Sequence, residues 1–142
     1  MSAKRRVDAF FTLADRGLRT ANVLFCENLF EYATLYVQQV VERVARALLT
    51  DAGVAFGTSH NLAQMAEALP LEHPFRERIR AFDAFSSAVT AFRYPTSTGR
   101  LQQPRQTGEL RKAIEEAEQL VRDSKEYIYD SGETHRWSTE ND

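Results

Sequence analysis

Apolar residues return every three or four positions in successive segments of this 142-residue chain, and no segment alternates at period two for long enough to suggest a sheet. Spacing of that kind puts the apolar groups on one face of an α-helix, and each face must be buried against another. Val7, Phe10, Phe11, Ala14, Leu18, Ala21 and Phe25 predict a first helix over about 4–25. Asn28 and Glu31 have capping-box spacing, and Ala33, Val37, Val40, Val44 and Leu48 predict a second helix over about 29–51, stopped at Gly53. Thr58 or Ser59 can cap a short third helix through Leu62, Met65, Ala66 and Leu69, ended by Pro70. Pro74 suits the first turn of a fourth, with Phe75, Ile79, Phe82, Phe85, Val89 and Phe92 inward and Tyr94-Pro95 beyond its end. Residues 96–107 read as an exposed loop. Thr107 can cap a last helix in which Leu110, Ile114, Ala117, Val121, Ser124 and Ile128 face inward, ending near Tyr129. The expected fold is all-α: an up-and-down antiparallel bundle of four long helices and one short helix over residues 1–130, followed by a flexible polar tail, 131–142.

Composition agrees with that class. Six glycines and four prolines are few for a protein of many tight turns, and the hydrophobic share of 43% is ordinary for a globular domain. The net charge of −2 confers no general affinity for nucleic acid, yet its distribution is uneven. Pro74 to Arg105 holds six arginines against Glu77 and Asp83, while residues 106–142 hold five basic groups against ten acidic ones. The single cysteine, Cys26, excludes an internal disulfide and points to a reducing cytoplasm. Asp8, Asp15 and Arg16 interrupt the start, so neither a signal peptide nor a membrane span is expected. A phosphate-binding glycine loop and a serine-hydrolase elbow are both missing.

The second helix reads Tyr32-x6-Gln39-x2-Glu42-x3-Arg46-Ala47-Leu48-Leu49, followed by Ser59-His60-Asn61-Leu62 and then Phe92-Arg93-Tyr94-Pro95. Together these resemble the HEPN domain (higher eukaryotes and prokaryotes nucleotide-binding domain). Members typically carry a glutamine, a glutamate and a Lys/Arg-Ala-Leu-Leu run on the second helix. A His-x-Leu opens the third helix and an Arg-Tyr-Pro closes the fourth. The order and spacing match over about residues 5–130, with arginine at position 46 where lysine is common. The resemblance implies a helical bundle that homodimerises and is often encoded beside a minimal nucleotidyltransferase, sometimes as a toxin-antitoxin pair. Some members are RNases that use an arginine followed after four to six residues by a histidine. Here the corresponding positions before His60 are 53–55, before His73 are 66–68, and before His135 are 128–130. None is arginine, so that motif is missing.

Arg93 and Tyr94, at the expected end of the fourth helix, could hold a phosphate and stack on a base. They could equally serve the helix end, arginine pairing with its last carbonyls and tyrosine packing under the loop. His60, at the opening of the third helix, could contact a ligand or donate a proton, or simply cap and pack. On the second helix Tyr32, Gln39, Arg43 and Arg46 fall within about 60 degrees at 100 degrees per residue, with Glu42 beside them. A charged face of that kind is usually solvated, but these residue types also favour a groove or dimer interface. No cysteine or carboxylate cluster has metal-ligand spacing, so no metal or cofactor is expected. The leading expectation is a non-catalytic domain that homodimerises and binds a nucleotide, an RNA or a nucleotidyltransferase partner. The alternatives are an RNase with a non-standard site, pairing Arg93 with His60, and a purely structural dimer.

Overall fold

A computed structural model describes residues 2–85, 97–99 and 107–130. The fold is all-α, and no strand occurs among the described residues. Helix α1 spans Ala3–Cys26 and starts where the Ser2 side chain accepts a hydrogen bond from the Arg5 amide at 3.2 Å. The expected capping box at the start of α2 does not form. Asn28 instead takes a left-handed conformation, φ 63°, and its amide and that of Leu29 close the end of α1 on Phe25 O and Leu24 O. Asparagine tolerates that region better than most residues, so the turn uses its backbone and not its side chain. Helix α2 then spans Phe30–Asp51, with no side chain capping its start.

The short turn makes α1 and α2 antiparallel neighbours, and they pack closely. A Cβ added to Gly17 would stand 2.8 Å from Val40 Cγ2, so glycine is what permits this approach. Val7, Phe11, Ala14 and Leu18 from α1 meet Val37, Val44 and Leu48 from α2 in the core. Complete burial of each large aliphatic group contributes about 1.5–3 kcal/mol. At the end of α2 the Leu48, Leu49 and Thr50 carbonyls accept from Ala52, Val54 and Gly53. Gly53 turns the chain at φ 74°, where a Cβ would be strained.

Helix α3 spans Leu62–Ala68 and is capped by Asn61, whose side chain accepts from the Gln64 amide at 3.0 Å, not by Thr58 or Ser59. The fourth helix departs from the expected long rod. Helix α4 covers only Arg76–Arg80, and a 3-10 turn follows at Asp83–Phe85. There Asp83 Oδ1 accepts from the Ala63 amide, tying the turn to the first residues of α3. Phe82 and Phe85 are buried, as the apolar spacing requires, but on a bent segment. Residues 86–96, including the rest of the expected helix, lie outside the described residues, as does the 131–142 tail. Among the described residues three helices are long: α1, α2 and the one that spans Thr107–Lys125.

Helix α5 spans Thr107–Lys125 and runs into a π-helical turn at Glu126–Asp130. All six inward positions expected of it are buried. Arg111 lies over the Phe25 ring at 4.3 Å, Lys125 pairs with Asp15, and Tyr129 donates to Asp8. Residues at the start of α5 therefore meet the end of α1, and those at its close meet the beginning, so α5 is antiparallel to α1. Arg78 joins α4 to α5 through Asp123 at 3.0 Å. A hydrogen bond from Gln119 holds the Asp123 carboxyl below the ordinary aspartate range, and the hydrogen bond and charge of Arg78 help it to outweigh the opposing effect of burial.

Candidate functional site

Two sets of polar residues on α2 point in different directions. The inner set is Gln38, Glu42 and Arg46, spaced four apart and so aligned along one edge of the helix. Glu42 is buried, its side chain only 5% exposed, and two donors and a histidine ring surround its carboxylate. Arg46 Nε donates to Oε2 at 3.2 Å and Gln38 Nε2 to Oε1 at 3.4 Å, while His60 Nδ1 lies 2.9 Å from Oε1. Arg46 also donates from Nη1 to Gly57 O at 2.9 Å and from Nη2 to Ser59 O at 3.0 Å, and Gln38 donates to His60 O at 3.2 Å. The segment from Gly57 to His60 is thus clamped onto α2 at three backbone carbonyls and one ring. A charge that is buried is tolerated when its lone pairs are met in this way.

Within that clamp, His60 has a defined orientation. Its ring is 56% exposed, and with Nδ1 set against Glu42, Nε2 is the nitrogen left for solvent or a ligand. Arg46 lies 5.7 Å over the Phe56 ring and helps line a cleft of about 400 Å³ with Arg6, Phe10 and Gly53. No group of three or more metal-ligating side chains occurs among the described residues, and no described helix is long and apolar enough to cross a membrane.

The outer set is Tyr32, Gln39 and Arg43. Gln39 and Arg43 share a shallow groove of about 150 Å³ with Leu13, Arg16, Thr20 and Tyr36, between α1 and α2. Among the described residues five large apolar side chains are conspicuously exposed, and four of them, Leu13 at 40%, Val23 at 56%, Leu29 at 41% and Tyr32 at 49%, belong to these two helices and the turn between them. The fifth, Leu71, lies in the turn after α3.

The candidate face therefore divides. Tyr32, Gln39 and Arg43 stay together on the outer side, whereas Glu42 and Arg46 belong to the inner clamp and do not line a groove with them. His60 joins Glu42. Arg93 and Tyr94 lie outside the described residues. Gln38 is a member of the clamp that the sequence motifs pass over, because its neighbour Gln39 fits the family spacing. Its i, i+4, i+8 alignment with Glu42 and Arg46 is the signal that could have found it.

Fold and clamp together define an all-helical domain whose second helix carries a buried Gln-Glu-Arg row that anchors the following loop. The chain belongs to the HEPN domain family, whose model matches residues 7–127. Its fold is also similar to the crystal structure of an archaeal HEPN homologue, at 16% identity and a TM-score of 0.62, over 85% of this chain and 96% of that one. A search of curated proteins finds no match.

Proposed function

We propose that this is a non-catalytic binding domain of the cytoplasm, which homodimerises through the outer side of α1 and α2 and serves a nucleotide or a nucleotidyltransferase partner, in the manner of a toxin-antitoxin pair. The observation that carries the reading is the gathering of four exposed apolar side chains, Leu13, Val23, Leu29 and Tyr32, on this one helix pair. Scattered exposed apolar groups are ordinary, but four on one helix pair, with tyrosine and arginine among its exposed residues, favour an association surface. The inner clamp supports a binding role, since Glu42 and Arg46 are spent on holding the loop. Nucleotide binding is assigned to His60 with Arg93 and Tyr94, on the strength of the family motifs. Sedimentation of the full chain tests the dimer: Leu13→Glu with Tyr32→Glu should convert it to a monomer with unchanged helicity, and a wild-type monomer at tens of micromolar would refute the reading. Calorimetry with nucleotides tests the ligand, where Arg93→Ala should weaken binding without lowering the melting temperature.

A second reading, an RNase with a non-standard site, is favoured by the orientation of His60 against Glu42. A histidine aligned by a carboxylate suits proton transfer at the other nitrogen. Cleavage of labelled RNA that disappears in His60→Ala would establish this activity in place of the first reading.

A further inference from the structure

We infer that the cleft between the start of α1, the end of α2 and the loop that follows is a binding site for a small aromatic anion, a planar ring bearing a carboxylate or a phosphate. This site goes beyond the reading given above and does not depend on it: Leu13, Val23, Leu29 and Tyr32 take no part in its lining. Its volume of about 400 Å³ falls in the range common to small-molecule sites. Three segments enclose it, with Arg6 and Phe10 from α1, Arg46 and Leu49 from α2, and Phe56 from the loop that Gly53 turns back. Enclosure of that kind suits a small molecule and not a strand.

The sign of the ligand follows from the lining, which holds two arginines and no acidic side chain among the described residues. Arginine carries five N–H groups. The clamp uses three of those on Arg46: Nε meets Glu42, Nη1 meets Gly57 O and Nη2 meets Ser59 O. Two remain, and the bonded three hold them in place. An arginine fixed before a ligand arrives loses little freedom on binding, and its charge-assisted hydrogen bonds to a carboxylate or phosphate are the strong kind. The backbone amides of Ala55 and Phe56, on the loop side of the cleft, make no hydrogen bond among the described residues and offer two further donors. A cation would meet two like charges here.

The aromatic part of the ligand follows from the other walls. Leu49 is buried, while Phe10 and Phe56 pack against the core on one side only and are half-buried. Part of each ring is thus left to a ligand, and an aromatic partner gains more from such contact than its covered area alone supplies. Arg46 already lies 5.7 Å over the Phe56 ring, so charge and ring face are presented together. A molecule with its anionic group toward Arg6 and Arg46 and its ring against Phe10 and Phe56 uses both at once.

Amide NMR of the full chain, titrated with benzoate and with phenyl phosphate, provides the test. At least one of these probes of about ten non-hydrogen atoms should give saturable shifts at Arg6, Phe10 and residues 53–56, with a dissociation constant of about 1 mM or below. The tighter of the two identifies the anionic group. Inorganic phosphate and benzyl alcohol each carry half of that chemistry and should bind about tenfold more weakly or worse. The same loss is expected for the anions with Arg6→Gln and with Phe56→Leu, whose spectra report folding in the same experiment; should one variant unfold, the other decides. Saturable shifts with neither anion, shifts centred on other residues, or affinity that folded variants leave unchanged overturn the site. Benzyl alcohol binding as tightly as benzoate overturns the anion, and inorganic phosphate binding as tightly as phenyl phosphate overturns the ring.

Discussion

The inner and outer sides of α2 use similar residue types for opposite purposes. Inside, Gln38, Glu42 and Arg46 satisfy one another and the Gly57–His60 backbone, so their polarity is consumed in holding the fold together. Outside, Gln39 and Arg43 with Tyr32 line an exposed face, and Arg43 has no ion-pair partner among the described residues. A glutamine can thus be structural or available for recognition according to a shift of one position, and an arginine according to a shift of three. What separates the two roles is the presence of a facing loop, not side-chain chemistry.

Variants that act on one side only should break this contrast if it is wrong. The largest effect is expected from Arg46→Ala, which strips a buried carboxylate of its charged partner and frees two loop carbonyls. A loss of about 3–5 kcal/mol is expected in denaturant unfolding, and a loss below about 1 kcal/mol would mean that the clamp is ornamental. Gly17→Leu should force α1 away from α2 at Val40 and cost about 1–3 kcal/mol, visible as a lower melting temperature, and it should disturb the outer face more than the loop.

A smaller, pH-dependent effect is expected at Tyr129, where α1 is clasped by the terminal turn. Burial, reinforced by the Asp8 carboxylate that accepts its hydroxyl, pushes its ionisation above the ordinary tyrosine range. The folded state therefore holds the proton more tightly than the unfolded chain does. This contribution is fully present below about pH 10 and is lost as the pH rises beyond it. Stability measured across that range should fall in the wild type and fall less in Tyr129→Phe. The smallest effect on stability belongs to the outer side: Tyr32→Glu should change unfolding free energy by no more than about 0.5 kcal/mol. A large loss there would show that Tyr32 supports the fold and not an interface.

Much of the fold was legible in the residues themselves. The stripes on α1, α2 and α5 identified their inward faces because a 3.6-residue period is the turn of an α-helix with one side hidden, and Gly53 marked the end of α2 correctly. The caps were less legible. Asn28, Thr58 and Ser59 all have side chains able to cap a helix, but which one does so depends on the path of the neighbouring chain, and Asn61 performs the role at α3. The apolar spacing from Phe75 to Phe92 could not reveal a bend after Arg80, since Phe82 and Phe85 are buried on either geometry. Of the candidate site, His60 and Glu42 were each visible as candidates, but nothing in their separation of eighteen positions indicated contact.

From its sequence alone, the chain determined that it would be helical, which faces would be hidden, and to which family it belongs, because periodicity and motif spacing are local properties of a linear order. Tertiary structure alone decided which polar residues are consumed. The return of residues 57–60 onto α2 places donors around Glu42, and no such loop covers Tyr32 and Arg43 among the described residues; burial and pairing are properties of neighbours in space, which a linear order does not contain.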